Sequence, residues 1–336
     1  MNRTNQIGEK IPKVSISLIT YNQVDFIKQA IDSVLMQETN FKYELIIGED
    51  DSTDGTREIV LSYQEKYPHK IRTFLNKRED VIFIDGKPTG NWNFINNLQH
   101  CKGKYIALLE GDDYWTDPNK LQKQADFLDN NPDHSMCFHK VHFEYEDSNL
   151  EPIVYEPYKQ KRSYSLEELI QKNFISTLSA VYRNYEFFSN LPEWFYSAPV
   201  CDYPMHLLTA EKGSIGYIND QMGVRRLHEK GYWSSMSLEK KYDTSLQIHD
   251  LIYTYFESGK HSNIAKSSLY YSKHRVDYVR KDYYSSMINL FKCLYLVPGH
   301  ISVHDRGMLK SVLDIFIPVD MRNDIRRFIN SKKSSL

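Results

Sequence analysis

The chain's strongest constraint is an alternation: short apolar runs, each followed by a helical pattern, with three of the runs ending in polar or acidic clusters. Residues 14–19, VSISLI, are rich in β-branched types and run into Thr20, Tyr21 and Asn22. Residues 43–48, YELIIG, run into Glu49-Asp50-Asp51-Ser52-Thr53-Asp54-Gly55-Thr56. Residues 105–109 run into Glu110-Gly111-Asp112-Asp113-Tyr114-Trp115. Between them, Ile27, Ala30, Ile31, Val34 and Leu35 share one helical face, and Ile59, Val60 and Tyr63 another. Residues 71–75 read as a further strand and 90–101 as a further helix.

This order predicts an α/β fold with a mainly parallel central sheet and flanking helices. Ligands of such sheets sit outside the carboxyl ends of the strands, where the three clusters are expected to converge. A helix cap explains Asp54 and Thr56 equally well. Further on, helices are expected at 119–130 and from Asp202. Strands are expected at 136–145, 177–182 and 215–218, with a polar loop over 146–163. Ser165-Leu-Glu-Glu168 is a capping box opening a helix to about Asn173. From about residue 238 the pattern is helical, over 238–257 and 262–294, then past Pro298-Gly299 to the end. The expected domains are 1–235, mixed α/β, and 236–336, a helical C-terminal extension.

Charge narrows the classes. The net charge is −2, which weakens wholesale nucleic-acid binding. The total hides an asymmetry: residues 261–336 hold 13 Lys+Arg against 6 Asp and no Glu, leaving the front part acidic. Cys101, Cys137, Cys201 and Cys293 form no CxxC pair, so they read as reduced, buried residues of a cytoplasmic protein. MNRTNQIGEKIPK has no apolar core, so no signal peptide is expected, and no run approaches the length of a membrane span.

The acids carry the chemistry. Three carboxylates within Glu110-Gly111-Asp112-Asp113 repel one another and call for a counter-charge. A divalent cation, Mn²⁺ or Mg²⁺, suits hard oxygen ligands and takes only one or two protein carboxylates, completing its shell with phosphate oxygens and water. A solvated acidic turn is the plainer reading of such a triplet alone.

The opening VSISLITYNQVDFIKQAIDSVLMQ, the turn EDDSTDGT, the block KGKYIALLEGDDYW, CDYP and RRLHEKGYWS together resemble an inverting family 2 glycosyltransferase of the GT-A fold. The resemblance covers roughly residues 13–235. It implies a nucleotide-diphosphate sugar donor, often a UDP-sugar, and an acceptor that is a carbohydrate, a lipid-linked sugar or a protein. Thr20, Tyr21, Asn22, Glu49 and Asp50 would contact the nucleotide, with Asp50 reading the uracil N–H. Glu110-Gly111-Asp112 occupies the DxD position, Glu replacing the first Asp; Asp112, Glu110 and His228 would hold the metal, and Asp113 would face the sugar or support the metal shell. Asp202 would be the general base, with a helix cap as its plainer role. Arg225 and Arg226 would neutralise the diphosphate, and Trp115, Trp194 and Trp233 would meet sugar or acceptor. His139, His142 and His206 show no comparable context.

A sugar nucleotidyltransferase would need a Gly-rich loop where this chain has TYNQVDF, and a Rossmann dehydrogenase a GxGxxG. A non-catalytic nucleotide- or carbohydrate-binding module is the remaining alternative. The basic tail, with its tyrosines, suits an anionic membrane surface and a peripheral location there; a helical brace or homo-oligomer interface explains it too.

Overall fold

The computed structural model describes residues 11–84, 86–146, 151–157, 160–256 and 259–297. The helical stretches expected beyond Pro298 and most of the amino-terminal segment lie outside these. The chain divides into two units, one running to Ser235 and the other from Met236 together with Ile170–Lys172.

The first unit opens as β1 (Val14–Thr20), α1 (Ile27–Leu35), β2 (Tyr43–Glu49), α2 (Thr56–Lys66) and β3 (Ile71–Leu75). A small hairpin, β4 (Phe83–Ile84) and β5 (Lys87–Pro88), leads to α3 (Asn91–Gln99), β6 (Tyr105–Glu110), β7 (Tyr114–Trp115) and α4 (Lys120–Asn130). Then come β8 (His134–Tyr145), β9 (Ile153–Tyr155), β10 (Ser163–Tyr164), α5 (Leu166–Gln171), β11 (Val181–Arg183), α6 (Asp202–Ala210) and β12 (Ser214–Leu227).

The main sheet has the order β10-β12-β8-β11-β6-β1-β2-β3. β6, β1, β2 and β3 are parallel; β11 runs antiparallel to both β6 and β8, so the sheet is mixed beyond β6. The chain moves outward from β1 to β2 and β3, then returns to the other side of β1 as β6. That reversal is the topological switch point at which open α/β sheets bind ligands. Strands β1, β2 and β6 are covered on both faces, which is why they read as continuous apolar runs. Ile27, Ala30, Ile31 and Val34 of α1, at i, i+3, i+4 and i+7, are buried in the same core as Ile16, Leu18, Leu45 and Leu109.

Three expectations need correction. The 146–163 loop contains β9, paired with β8, and the start of β10, paired with β12. The strand expected at 177–182 is a 3₁₀ turn, Thr177–Ser179, followed by the short β11. The strand expected at 215–218 runs on to Leu227: register shifts around Gln221 bend β12, which pairs β8 throughout and also runs beside β7 at Gly223 and Val224. The capping box forms, with Glu168 N donating to Ser165 Oγ and Ser165 N to Glu168 Oε2.

The second unit contains α7 (Leu238–Phe256), α8 (Gly259–Val279) and α9 (Tyr283–Leu296). The single helix expected over 262–294 is two. Lys281 adopts φ +63°, and Asp282 caps α9 by accepting from Ser285 N at 3.1 Å. Helices α8 and α9 are joined by Ser267 Oγ donating to Cys293 O at 3.1 Å and Asn289 Nδ2 to Asp277 Oδ2 at 2.8 Å. Among the described residues no helix is long and apolar enough to cross a membrane.

Candidate active site

The three polar clusters meet at the carboxyl ends of β1, β2 and β6. Asp50 N donates to Thr20 O at 3.1 Å, and Gly111 N donates to Ile19 O at 2.9 Å. A Cβ on Gly111 would fall 2.4 Å from Gln23 Oε1 and 2.8 Å from Thr20 Oγ1, so a larger residue there would displace these side chains.

Asp50 is buried, and its Oδ2 pairs with Arg78 Nη1 at 3.1 Å. Its Oδ1 is buried with no hydrogen-bond partner, an acceptor free for an N–H donor. Burial raises its pKa to about 6 despite Arg78. The same guanidinium lies 4.5 Å from the Tyr21 ring centroid, and that ring is 43% exposed. Arg78 escaped the sequence reading. Its signal is position, because it follows β3 at the same end of the sheet.

The other expected nucleotide contacts are used differently. Glu49 is fully buried; Oε1 accepts Ser52 N at 2.7 Å and Oε2 is paired with Arg57, so both oxygens brace the turn rather than face a ligand. Thr20 gives its hydroxyl to Gln23 Oε1 at 2.8 Å, and Asn22 (φ +50°) accepts from Thr53 N at 2.9 Å. Tyr21 is the one of the three whose side chain stands in solvent. Asp54 Oδ1 accepts from Thr56 N at 3.0 Å just ahead of α2, whose N-cap is Gly55 rather than Asp54.

Across the switch point, Glu110, Asp112 and Asp113 all act electrostatically on half-buried Arg225 of β12. The fields of Glu110, Asp113, Asp202 and Asp112 raise its pKa against the cost of burial. Glu110 is pushed up to about 8 by burial and then by Asp112, with Arg225 opposing. Asp113 is raised for the same reasons; its Oδ1 accepts Arg226 N at 2.9 Å, while its buried Oδ2 has no hydrogen-bond partner. One guanidinium therefore does not compensate this cluster, and a further cation would.

His228 Nε2 lies 3.0 Å from Asp112 Oδ2, and its buried Nδ1 has no hydrogen-bond partner. Among the described residues no three His, Cys, Asp or Glu side chains form a ready-made cation cage. The donor set nevertheless fits one hard divalent ion: a carboxylate, an imidazole and uncompensated negative charge, a set that suits an ion completing its shell with phosphate oxygens and water.

Arg226 does not face a diphosphate. Nη1 donates to Asp112 O at 2.6 Å, Nη2 to Gln29, and the guanidinium lies over the rings of Tyr114 at 4.4 Å and Phe26 at 5.2 Å. It ties the acidic loop to α1 and β12. Trp115 is 1% exposed; its Nε1 donates to Leu178 O at 3.0 Å and Lys120 Nζ sits 3.9 Å from its ring centroid. It is core, and cannot stack on a sugar. Trp194, in the 3₁₀ turn Glu193–Ser197, and Trp233 are half-buried, and Tyr232 is exposed. Asp202 is the first residue of α6, after the N-cap Cys201; Oδ1 accepts Tyr203 N at 2.8 Å and Oδ2 accepts Thr177 Oγ1 at 3.0 Å, and the residue remains partly accessible. Glu110 and Arg225 both feel its charge.

Comparisons with known proteins agree with this architecture. The chain is similar to a protein of Mycobacterium tuberculosis, 36% identical over 228 residues, which are 68% of this chain and 62% of that one. The chain thus spans about 62% of the length of the curated mycobacterial relatives it matches. Its fold is similar to that of S. aureus TarS 1–349 in complex with UDP, at TM-score 0.58 and 18% identity, covering 89% of this chain and 86% of that one. It is also similar to the mannosyltransferase PcManGT of Pyrobaculum calidifontis, in complex with GDP-Man and Mn²⁺, at TM-score 0.53 and 14% identity, covering 94% and 83%. The profile described as glycosyl transferase family 2 matches residues 15–188, more than half of the sequence and the segment that contains β1 to β6 and the acidic loop. The chain belongs to glycosyl transferase family 2 and has the GT-A fold.

Proposed function

We propose that the protein is an inverting glycosyltransferase that moves a sugar from a nucleotide-diphosphate sugar, a UDP-sugar in the first instance, to an acceptor hydroxyl of a surface polysaccharide or other glycoconjugate. The observation that carries the reading is the acidic cluster Glu110, Asp112 and Asp113, set with Asp202 around Arg225 at the switch point of the sheet. Family membership and the fold shared with proteins holding UDP or GDP-Man support it.

Asp50 offers its unpartnered Oδ1 to the ring N–H of uracil, with the Tyr21 ring beside it and Arg78 fixing the carboxylate. Asp112 and His228 would hold a divalent cation, Glu110 and Asp113 adding charge around it. That cation, when bound, would neutralise the departing diphosphate. Asp202 takes the proton of the acceptor hydroxyl as its oxygen bonds the anomeric carbon. The bond from that carbon to the diphosphate oxygen breaks, and the nucleotide diphosphate leaves with the electron pair. Arg225 meanwhile offsets part of the charge of Asp202 and Glu110.

The test is release of free nucleoside diphosphate from UDP-glucose, UDP-N-acetylglucosamine and GDP-mannose, with Mn²⁺ and with chelator. Metal-dependent release from at least one donor is expected. Tight nucleotide binding without release, with candidate acceptors present, would instead favour a binding module.

A further inference from the structure

Both carboxylate oxygens of Asp202 are held. Oδ1 takes the amide of Tyr203 at 2.8 Å, a bond inside its own helix; Oδ2 takes the hydroxyl of Thr177 at 3.0 Å, a bond from another element. Thr177 is 4% exposed, in the 3₁₀ turn Thr177–Ser179. That turn is itself fastened. Trp115 Nε1 donates to Leu178 O at 3.0 Å, Gln124 Nε2 to Ser179 O at 2.8 Å, and Leu108 N to Ala180 O at 3.2 Å.

The same segment grips α6 a second time. The Tyr182 hydroxyl lies 2.6 Å from His206 Nδ1, both side chains fully buried. His206 is four residues after Asp202, one helical turn on. Residues 177–182 therefore hold α6 at two points one turn apart, and the first of these is the carboxylate proposed as the base.

We propose that Thr177 is the positioning residue for that base: its hydroxyl aims the Asp202 carboxylate, while the Tyr182–His206 bond keeps α6 in the register that allows it. The inference rests on the transferase reading above. The titratable and charged groups that sense Asp202 are Glu110 on β6, Arg225 on β12, Tyr155 on β9, Tyr182 on β11, and Cys201 and His206 on either side of it in sequence. Without the Thr177 hydroxyl, Oδ2 loses its bond from outside α6 and the carboxylate is free to rotate. The step Thr177 serves is proton removal, not donor binding.

The experiment compares wild type, Thr177→Val and Thr177→Ser for nucleotide release from the best of the three sugar nucleotides with Mn²⁺, across pH 5 to 9. Thr177→Val is expected to lower kcat about tenfold, the low end of what a hydrogen bond to a charged group is worth. KM for the donor is expected to stay within about twofold, because the hydroxyl meets the base and not the donor. Thr177→Ser, which keeps the hydroxyl, is expected to restore kcat. Wild-type kcat in Thr177→Val would overturn the inference alone. So would equal impairment of the Val and Ser variants, which would mark a packing role. If Thr177→Val does not fold, Thr177→Ala carries the same comparison. No release by wild type from any sugar nucleotide would overturn the transferase reading, and this inference with it.

Discussion

His228 and Asp112, 116 residues apart in the chain, meet with Nε2 and Oδ2 separated by 3.0 Å. The contact joins the loop after β6 to the end of β12. It puts an imidazole nitrogen and a carboxylate oxygen side by side next to carboxylates that Arg225 does not compensate. If this pair holds the cation, Asp112→Ala should reduce the Mn²⁺-dependent gain in UDP affinity at least about tenfold. Titration calorimetry with and without Mn²⁺ reads this directly. An undiminished Mn²⁺ effect would remove Asp112 from the metal site.

The raised pKa of Glu110 has a definite sign for stability. Between the ordinary carboxylate range and about 8, the native state binds more protons than the unfolded state. Stability contributed by this group is therefore present at low pH and lost as pH rises toward 8. A divalent cation held there, as proposed, would replace the proton, so the rise in Tm on adding Mn²⁺ should be larger at pH 8 than at pH 5.5. Thermal melts at the two pH values check this, and Glu110→Gln should flatten the metal-free pH dependence.

Asp50 provides a test of base recognition. Asp50→Asn keeps the shape but loses the charge paired with Arg78, and it can present an amide donor where an acceptor is needed. Uridine nucleotide affinity should fall about tenfold or more, the worth of a hydrogen bond to a charged group. With the wild-type carboxylate pushed up to about 6, UDP affinity should also weaken as pH drops below that value, and the mutant should lack this dependence. Competition binding with UDP from pH 5 to 7.5 would measure both.

Two tryptophans separate packing from surface. Trp115→Ala removes a fully buried side chain, its indole hydrogen bond and its contact with Lys120, and should cost about 3–5 kcal/mol of stability. Trp233→Ala, at a half-buried position, should cost distinctly less. Urea unfolding of the two variants gives the comparison; equal losses would contradict the burial assignment.

The legible part of the fold was the part governed by local pattern. The apolar runs of β1, β2, β3 and β6 and the periodic faces of α1 and α2 depend on nothing distant. The mixed half of the sheet was harder to read. β12 needs bulges to bend between β8 and β7, and β11 has only three residues. The break between α8 and α9 has a local cause, Asp282 as a cap, but Tyr283 and the residues after it continue a helical pattern and mask it. At the site, acids were visible because carboxylates cluster at strand ends. Which of them face outward was not, because that depends on partners far along the chain. Glu49 turns to Arg57, Arg226 to Asp112 O and Gln29, and Trp115 to Leu178. Arg78 and Thr177 were missed for the converse reason: neither stands in a motif, and each matters only through the carboxylate it meets.

The most direct test of the central claim is the single-turnover rate of Asp202→Asn with a sugar nucleotide that the wild type uses. Binding of the donor should stay within about twofold of wild type, because Asp202 is assigned to the acceptor's proton. The rate should fall at least about a hundredfold, the usual worth of a positioned base. An Asp202→Asn protein that turns over at the wild-type rate would contradict the assignment.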